Sequence, residues 1–104
     1  MSLRMPRAYT RQFEQTSVDT ALNVEIMEEK AASLGRAGKL VEKTLAALHA
    51  CDAADPSRPA QVQAAADALY AYLIQRELCG LRDQETAIRS YNVPTEVVAI
   101  LGSH

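Results

Sequence analysis

Aromatic residues and chain breakers are scarce in this sequence. Its 104 residues include no tryptophan, one phenylalanine (Phe13), four glycines and four prolines. Alanine dominates the apolar residues, and alanine is the strongest helix former. The composition therefore predicts a single small all-α domain and excludes collagen-like, disordered and disulfide-dense secreted proteins.

A long apolar run and an excess of positive charge are also missing. Arg4, Arg7 and Arg11 are not followed by an apolar stretch, so residues 1–16 predict neither a signal peptide nor a membrane anchor. We therefore expect a cytoplasmic protein that does not bind membranes. The net charge of −2 argues against the broad positive field of nucleic-acid-binding proteins.

Residues for metal binding or catalysis do not occur at useful spacings. Cys51 and Cys79 are 28 positions apart without a CxxC pair, and the histidines are His49 and His104. No histidine stands three residues after Glu25, Glu28 or Glu29, as a di-metal helical bundle requires. The sequence predicts no metal, no cofactor and no catalytic residue, hence a protein that is not an enzyme.

Hydrophobic periodicity predicts the helices. Apolar residues recur at helical gaps from Ser17 onward, as a stripe that we expect to keep its phase along one long helix: Val18, Leu22, Ile26, Leu34, Val41, Leu45 and Leu48. The predicted domains are an N-terminal arm, residues 1–16, and one helical domain, 17–104. Its helices are expected at about 17–53, 59–79, 83–90 and 95–101, and a break of the first near Gly35 stays open.

The prolines between residues 53 and 59 predict the tip of an antiparallel helical hairpin. In its register Leu45 faces Leu69, while Gly35 and Gly38 lie opposite the end of the second helix and allow close approach. The first helix then continues beyond the second over residues 17–34, which we call the extension. Its apolar face needs a cover, and residues 81–101 are the only candidate within the chain.

The strings QRELCGLRD (residues 75–83) and YNVPTEV (residues 91–97) are the most distinctive in the chain. Over roughly residues 75–102 they resemble a small uncharacterised family of bacterial all-helical proteins, which implies no activity or cofactor. Four charged residues flank the turn at Gly80 and predict either a corner brace or a partner site: Arg76, Glu77, Arg82 and Asp83.

An elongated chain of this size buries little apolar surface by itself. We therefore expect a bundle completed by a homodimer, with Val18, Leu22 and Ile26 in its interface, although an unknown protein partner is also possible. The predicted function is that of a non-enzymatic small helical protein of unknown role, which is either a homo-oligomer or a protein-protein interaction module. The alternative is a nucleic-acid-associated regulator that uses the helix-turn-helix-like residues 83–102 and the arginine-rich arm.

Overall fold

The computed structural model describes residues 7–102 and the surroundings of their side chains from residue 18 onward. Four helices run in the order α1 (Arg7–His49), α2 (Arg58–Leu78), α3 (Gln84–Ser90) and α4 (Thr95–Leu101), with no strand between residues 7 and 102. The predicted all-α fold, a long helix followed by shorter ones, is confirmed. Arg4 and His104 lie outside the described residues, as do the side chains of Arg7 and Arg11.

Helix α1 is longer at its start and shorter at its end than the sequence pattern predicted. It begins at Arg7, so residues 7–16 of the expected arm are helical, in keeping with the absence of glycine and proline between Pro6 and Gly35. It ends at His49, where the amide of Cys51 donates to the Leu48 carbonyl at 3.0 Å in a tighter turn. The helix is unbroken at Gly35, which answers the question left open above.

The hydrophobic core lies between α1 and α2 and is completed by one residue from each short helix. Helix α2 packs on α1, and α4 packs on α2. Leu45 and Leu69, which the predicted register placed opposite each other, both belong to this core. Its buried members are Val41, Leu45, Leu48, Val62, Ala65, Ala66, Ala68, Leu69, Leu73, Ala87 and Val97.

Only one of the two glycines predicted to allow close approach does so. A Cβ atom at Gly38 would lie 2.9 Å from the Tyr91 hydroxyl oxygen and 3.4 Å from Tyr72 Cε1, so the missing side chain is needed there. At Gly35 a Cβ would meet nothing within 4 Å. The prediction for Gly35 is wrong, because a Cβ atom there would contact no atom of α2 or of the C-terminal segment.

The C-terminal helices fold back along the hairpin and not along the extension. Ala87 of α3 and Val97 of α4 are buried in the hairpin core. The turn between them has Asn92 at a φ of 51°, a left-handed conformation that asparagine tolerates well. The expected cover for the extension is thus used at the other end of the molecule.

Candidate interaction surface

Helix α2 ends long before α1 does, and this difference in length defines the candidate surface. The Cys79 thiol, just after α2, lies 3.8 Å from the backbone carbonyl oxygen of Lys30. From Arg7 to Lys30, α1 therefore runs for about 35 Å without α2 beside it. Cys51 lies at the hairpin tip and Cys79 at this end, and both are free thiols.

Large apolar side chains of the extension are exposed. The exposed fractions are 63% for Val18, 53% for Leu22, 49% for Val24, 44% for Ile26 and 68% for Met27. Monomeric proteins expose single apolar residues routinely, whereas five large ones within ten residues make this part of α1 the candidate interaction surface.

One line of α1 residues connects this exposed region with the core. Leu48, Val41, Leu34 and Met27 follow each other at intervals of seven residues, so they lie along one side of the helix. Leu48 and Val41 are fully buried, Leu34 is half-buried and Met27 is exposed. The gradient follows the hairpin, because α2 covers the first two residues and ends near the last two.

A second line beside the first shows the same change. Leu45, Gly38, Ala31 and Val24 are also seven residues apart, four positions from the first line. Leu45 and Gly38 are buried, whereas Ala31 and Val24 are exposed. We call these two lines the seam. The side of α1 that packs on α2 thus continues, still apolar at Met27 and Val24, beyond the point where α2 ends.

The predicted interface residues Val18, Leu22 and Ile26 lie off this seam. Each gap of four residues turns the position by about 40° around the helix, so the three residues do not keep the phase of Val41 and Leu45. By this rotation the expected stripe does not follow one side of α1, because Val18 and Leu22 lie on the side away from Leu45.

A polar network lies next along the Val18, Leu22 and Ile26 side of α1. Arg36 Nη2 is 3.2 Å from Glu29 Oε1 and donates to Ser33 Oγ at 3.0 Å. The Ser33 hydroxyl is also within 3.4 Å of Glu29. This apolar side therefore ends within one helical turn of Ile26 and does not reach the hairpin core.

A notch marks the place where the seam leaves α2. It is an open, mainly apolar depression of about 330 Å³ between α1 and the end of α2. The residues that line it are Met27, Lys30, Ala31, Leu34, Leu78 and Cys79. A second helix packed along the exposed part of the seam would therefore end at this notch, facing the C-terminal end of α2.

The four charged residues predicted at the Gly80 turn have separate roles. Arg76 Nη2 donates to the backbone carbonyl of Asp83 at 3.1 Å, while the Asp83 carboxylate caps α3 by accepting from the amide of Thr86 at 3.2 Å. These bonds with Thr86 hold the pKa of Asp83 below its ordinary value. Glu77 accepts a hydrogen bond from Gln84 at 3.5 Å.

Arg82 is exposed and has no hydrogen bond or ion pair within the described part of the chain. The structure therefore does not bring the four charges of this turn together as one site. Gly80 itself has a φ of +83°, which is the left-handed conformation expected of a glycine that ends a helix.

The sequence did not predict a pair of tyrosines that lies near Arg76. The rings of Tyr72 and Tyr91 meet edge to face, with centroids 5.3 Å apart, and the Arg76 guanidinium lies 5.9 Å from the centre of the Tyr72 ring. Burial first, then hydrogen bonding to Tyr72 and the nearby charge of Glu42, raise the pKa of Tyr91 to about 12. Gly38 was the only signal in the sequence that something large approaches α1 here.

A family comparison accounts for the whole chain. The sequence model of the protein family described as "Family of unknown function (DUF6665)" matches residues 1–104. The chain belongs to this family. The predicted membership of a family of unknown function is thus confirmed, over a longer stretch than residues 75–102. No curated protein and no solved structure matches the chain.

In this DUF6665 member an ion pair that sequence reasoning missed joins α4 to the hairpin tip. Arg58 pairs with Glu96 and also donates through Nη1 to the carbonyl of Cys51 at 2.8 Å. The bond with Glu96 raises the pKa of Arg58. Glu96 stands in the segment that resembles a helix-turn-helix, and its carboxylate is used to hold α4 against α2.

Neither a metal-binding cluster nor a membrane span is found in the described part of this DUF6665 chain. Residues 18–102 contain no group of three or more His, Cys, Asp or Glu side chains placed to hold a metal ion. None of the described helices combines the length and apolar character needed to cross a membrane.

Proposed function

We propose that this protein is a non-enzymatic interaction module that works as a homodimer, joined through the free part of α1. The observation that carries the proposal is the row of exposed apolar side chains between residues 18 and 27, from Val18 at 63% to Met27 at 68% exposure. Within the described chain no element covers them, because α3 and α4 pack on the hairpin. Burial of such side chains against a second chain is favourable by about 25 cal/mol per Å².

A second copy of the chain supplies a matching surface. Each copy has one free helix of the same length and apolar character, so a two-fold dimer buries both extensions at once. Two hairpins joined in this way give a bundle in which the exposed part of each α1 has a helical neighbour.

The non-enzymatic part of the proposal is supported by how the charged groups are used. Asp83 caps α3, and Arg58 and Glu96 tie α4 to the hairpin tip. Arg76 holds the turn before α3 through a backbone carbonyl. Each of these charged groups has a structural contact, and the proposed dimerisation does not require any of them to act as a catalyst.

The test is the mass of the full chain in solution, measured by sedimentation velocity at several concentrations around tens of micromolar. We expect a reversible equilibrium that reaches twice the 11.3 kDa of one chain. A chain that stays at 11.3 kDa over the whole range contradicts the proposal. Growth into a continuous series of larger species also contradicts it, because a two-fold interface closes at two copies.

A further inference from the structure

We infer that the second copy docks antiparallel on the side of α1 that carries Val18 and Leu22, with a two-fold axis beside Val18. Glu25 of each copy then pairs with Arg11 of the other copy. This inference rests on the proposed homodimer, and it specifies which side of the extension is buried, in which direction the two helices run and which charges join them.

Six charged or apolar positions of the extension lie on one side of α1. Residues 7–49 form one unbroken helix, in which each residue turns the chain by about 100°. Between residues 7 and 29, a sector of about 60° contains Arg7, Arg11, Val18, Leu22, Glu25 and Glu29, and Glu14 and Gln15 border it. Along this side, two basic positions come first, two apolar positions follow and two acidic positions come last.

The spacing of these positions makes the side complementary to itself. Arg11 and Glu25 each stand seven residues from Val18, one before it and one after it. A two-fold axis beside Val18 reverses the partner helix, so the position of Arg11 in one copy stands opposite Glu25 in the other. The same axis places the position of Arg7 opposite Glu29. A parallel pair brings equal charges together, which is unfavourable.

The described side chains on this side are available to a partner. Val18 is 63% exposed and Leu22 is 53% exposed. Glu29 contacts Arg36 of its own chain at 3.2 Å, but this pair lies on the surface, where solvent weakens it. Glu25 is exposed and has no hydrogen bond or ion pair within residues 18–102. The Glu25 carboxylate therefore lacks a partner in the described part of its own chain and gains one in the antiparallel dimer.

Helix α2 does not obstruct this side of α1. It packs on the side that carries Leu45, whereas Val18 and Leu22 lie on the side away from Leu45. Helix α2 also ends beside Lys30. The two copies can therefore overlap over residues 7–29, which is a length of about 33 Å.

The first experiment tests the pairing by charge reversal in the full chain. Arg11→Glu and Glu25→Arg each create two pairs of like charges in the dimer, so each should raise the dissociation constant by about tenfold in sedimentation velocity at about 0.1 M salt. The double variant Arg11→Glu, Glu25→Arg restores opposite charges and should return to within about threefold of the wild type. The two positions are about 21 Å apart along one helix, so recovery reports a contact between copies and not within one chain.

Asp52→Arg is the matched control. It changes the net charge as Glu25→Arg does, but Asp52 lies at the hairpin tip, more than about 30 Å from Glu25. The double variant Arg11→Glu, Asp52→Arg should therefore stay as weakly dimeric as Arg11→Glu, with helix content checked by circular dichroism. Equal recovery in the two double variants, or no recovery with Glu25→Arg, overturns the inference.

The second experiment tests the side of the helix and does not depend on charge. In a Cys51→Ser, Cys79→Ser background, Val18→Cys and Met27→Cys are treated separately with a short bis-maleimide crosslinker. The axis brings the two Val18 positions together, so Val18→Cys should crosslink between copies. The two Met27 positions lie on the far sides of the helices and about 27 Å apart along them, so Met27→Cys should not. The reverse result indicates docking on the seam and overturns the inference.

The two proposals fail in different ways. A wild-type chain that is monomeric contradicts both the homodimer and its docking side. A wild-type dimer that is not weakened by Arg11→Glu or Glu25→Arg, or that crosslinks only through Met27→Cys, leaves the homodimer standing and refutes the antiparallel contact at Val18.

Discussion

Gly35→Ala and Gly38→Ala add the same methyl group to the same helix, three residues apart, and the structure predicts opposite effects. Alanine is more favourable than glycine in a helix interior by about 0.5 to 1 kcal/mol. At Gly35 the new Cβ meets nothing within 4 Å, so this gain is expected in full. Gly35→Ala should therefore raise the free energy of unfolding by about 0.5 to 1 kcal/mol.

At Gly38 the same gain competes with a clash. The new Cβ would lie 2.9 Å from the Tyr91 hydroxyl oxygen and 3.4 Å from Tyr72, so the edge-to-face tyrosine pair has to move. Overfilling a packed site costs about 1 to 3 kcal/mol, which equals or exceeds the helix gain. We expect Gly38→Ala to leave the free energy of unfolding unchanged or to lower it by up to about 2 kcal/mol.

Urea unfolding followed by circular dichroism measures both variants, and the difference between them is the decisive quantity. A difference of about 1 kcal/mol corresponds to about 4 to 8 °C in melting temperature for a domain of this size. Tyr91→Phe removes the closest atom, so it should restore part of the loss when combined with Gly38→Ala. Equal stabilisation by the two glycine substitutions would refute the packing of Tyr91 against α1.

Three other predictions concern the core, a phenol and a helix cap. Leu45→Ala removes a core side chain and should lower the free energy of unfolding by about 2 to 5 kcal/mol in urea melts, whereas Leu40→Ala, at an exposed position, should have a much smaller effect. Because the pKa of Tyr91 is raised to about 12, the stability that its neutral hydroxyl contributes is present below the ordinary tyrosine pKa and is lost as the pH rises through 12. An absorbance titration should show one tyrosine that ionises near pH 12, and Tyr91→Phe should remove that step. Asp83→Ala should destabilise the chain at neutral pH more than Asp83→Asn, whose side-chain oxygen can still accept a hydrogen bond from the Thr86 amide. Because the pKa of Asp83 is lowered, thermal melts of the wild type should show the stability from this cap being lost as the pH falls through the pKa of Asp83.

The helices and the hairpin could be predicted because their causes are local. Pro59 stands in the first turn of α2, and Gly80 follows the end of that helix in a left-handed conformation. Pro56 marks the loop between the helices, although α1 already ends at His49. The pairing of Leu45 with Leu69 in one core then follows from equal rise along both helices. Both ends of α1 were misplaced. Its start was placed too late because Ser17 is a suitable cap in the middle of a stretch that needs none, and its end was placed at residue 53 and not at His49.

The faces of α1 could not be derived from gaps of three and four residues alone. Repeated gaps of four residues move Val18, Leu22 and Ile26 around the helix, whereas gaps of seven keep Met27 on the side of Val41. The contacts of Tyr91 with Gly38 and of Arg58 with Glu96 join residues far apart in the chain. Their partners depend on how α3 and α4 fold back, which local patterns do not determine.

The seam makes the length of α1 adjustable in steps. Removal of seven residues from the part before Lys30 shortens the helix by about 10 Å and turns the preceding residues by only about 20°, so the remaining seam keeps its direction. Removal of five residues turns the preceding segment by about 140° and presents a different side. Insertions and deletions in this region are therefore expected to be tolerated in multiples of seven. They would change the length of the free part of α1 and leave the hairpin core unchanged.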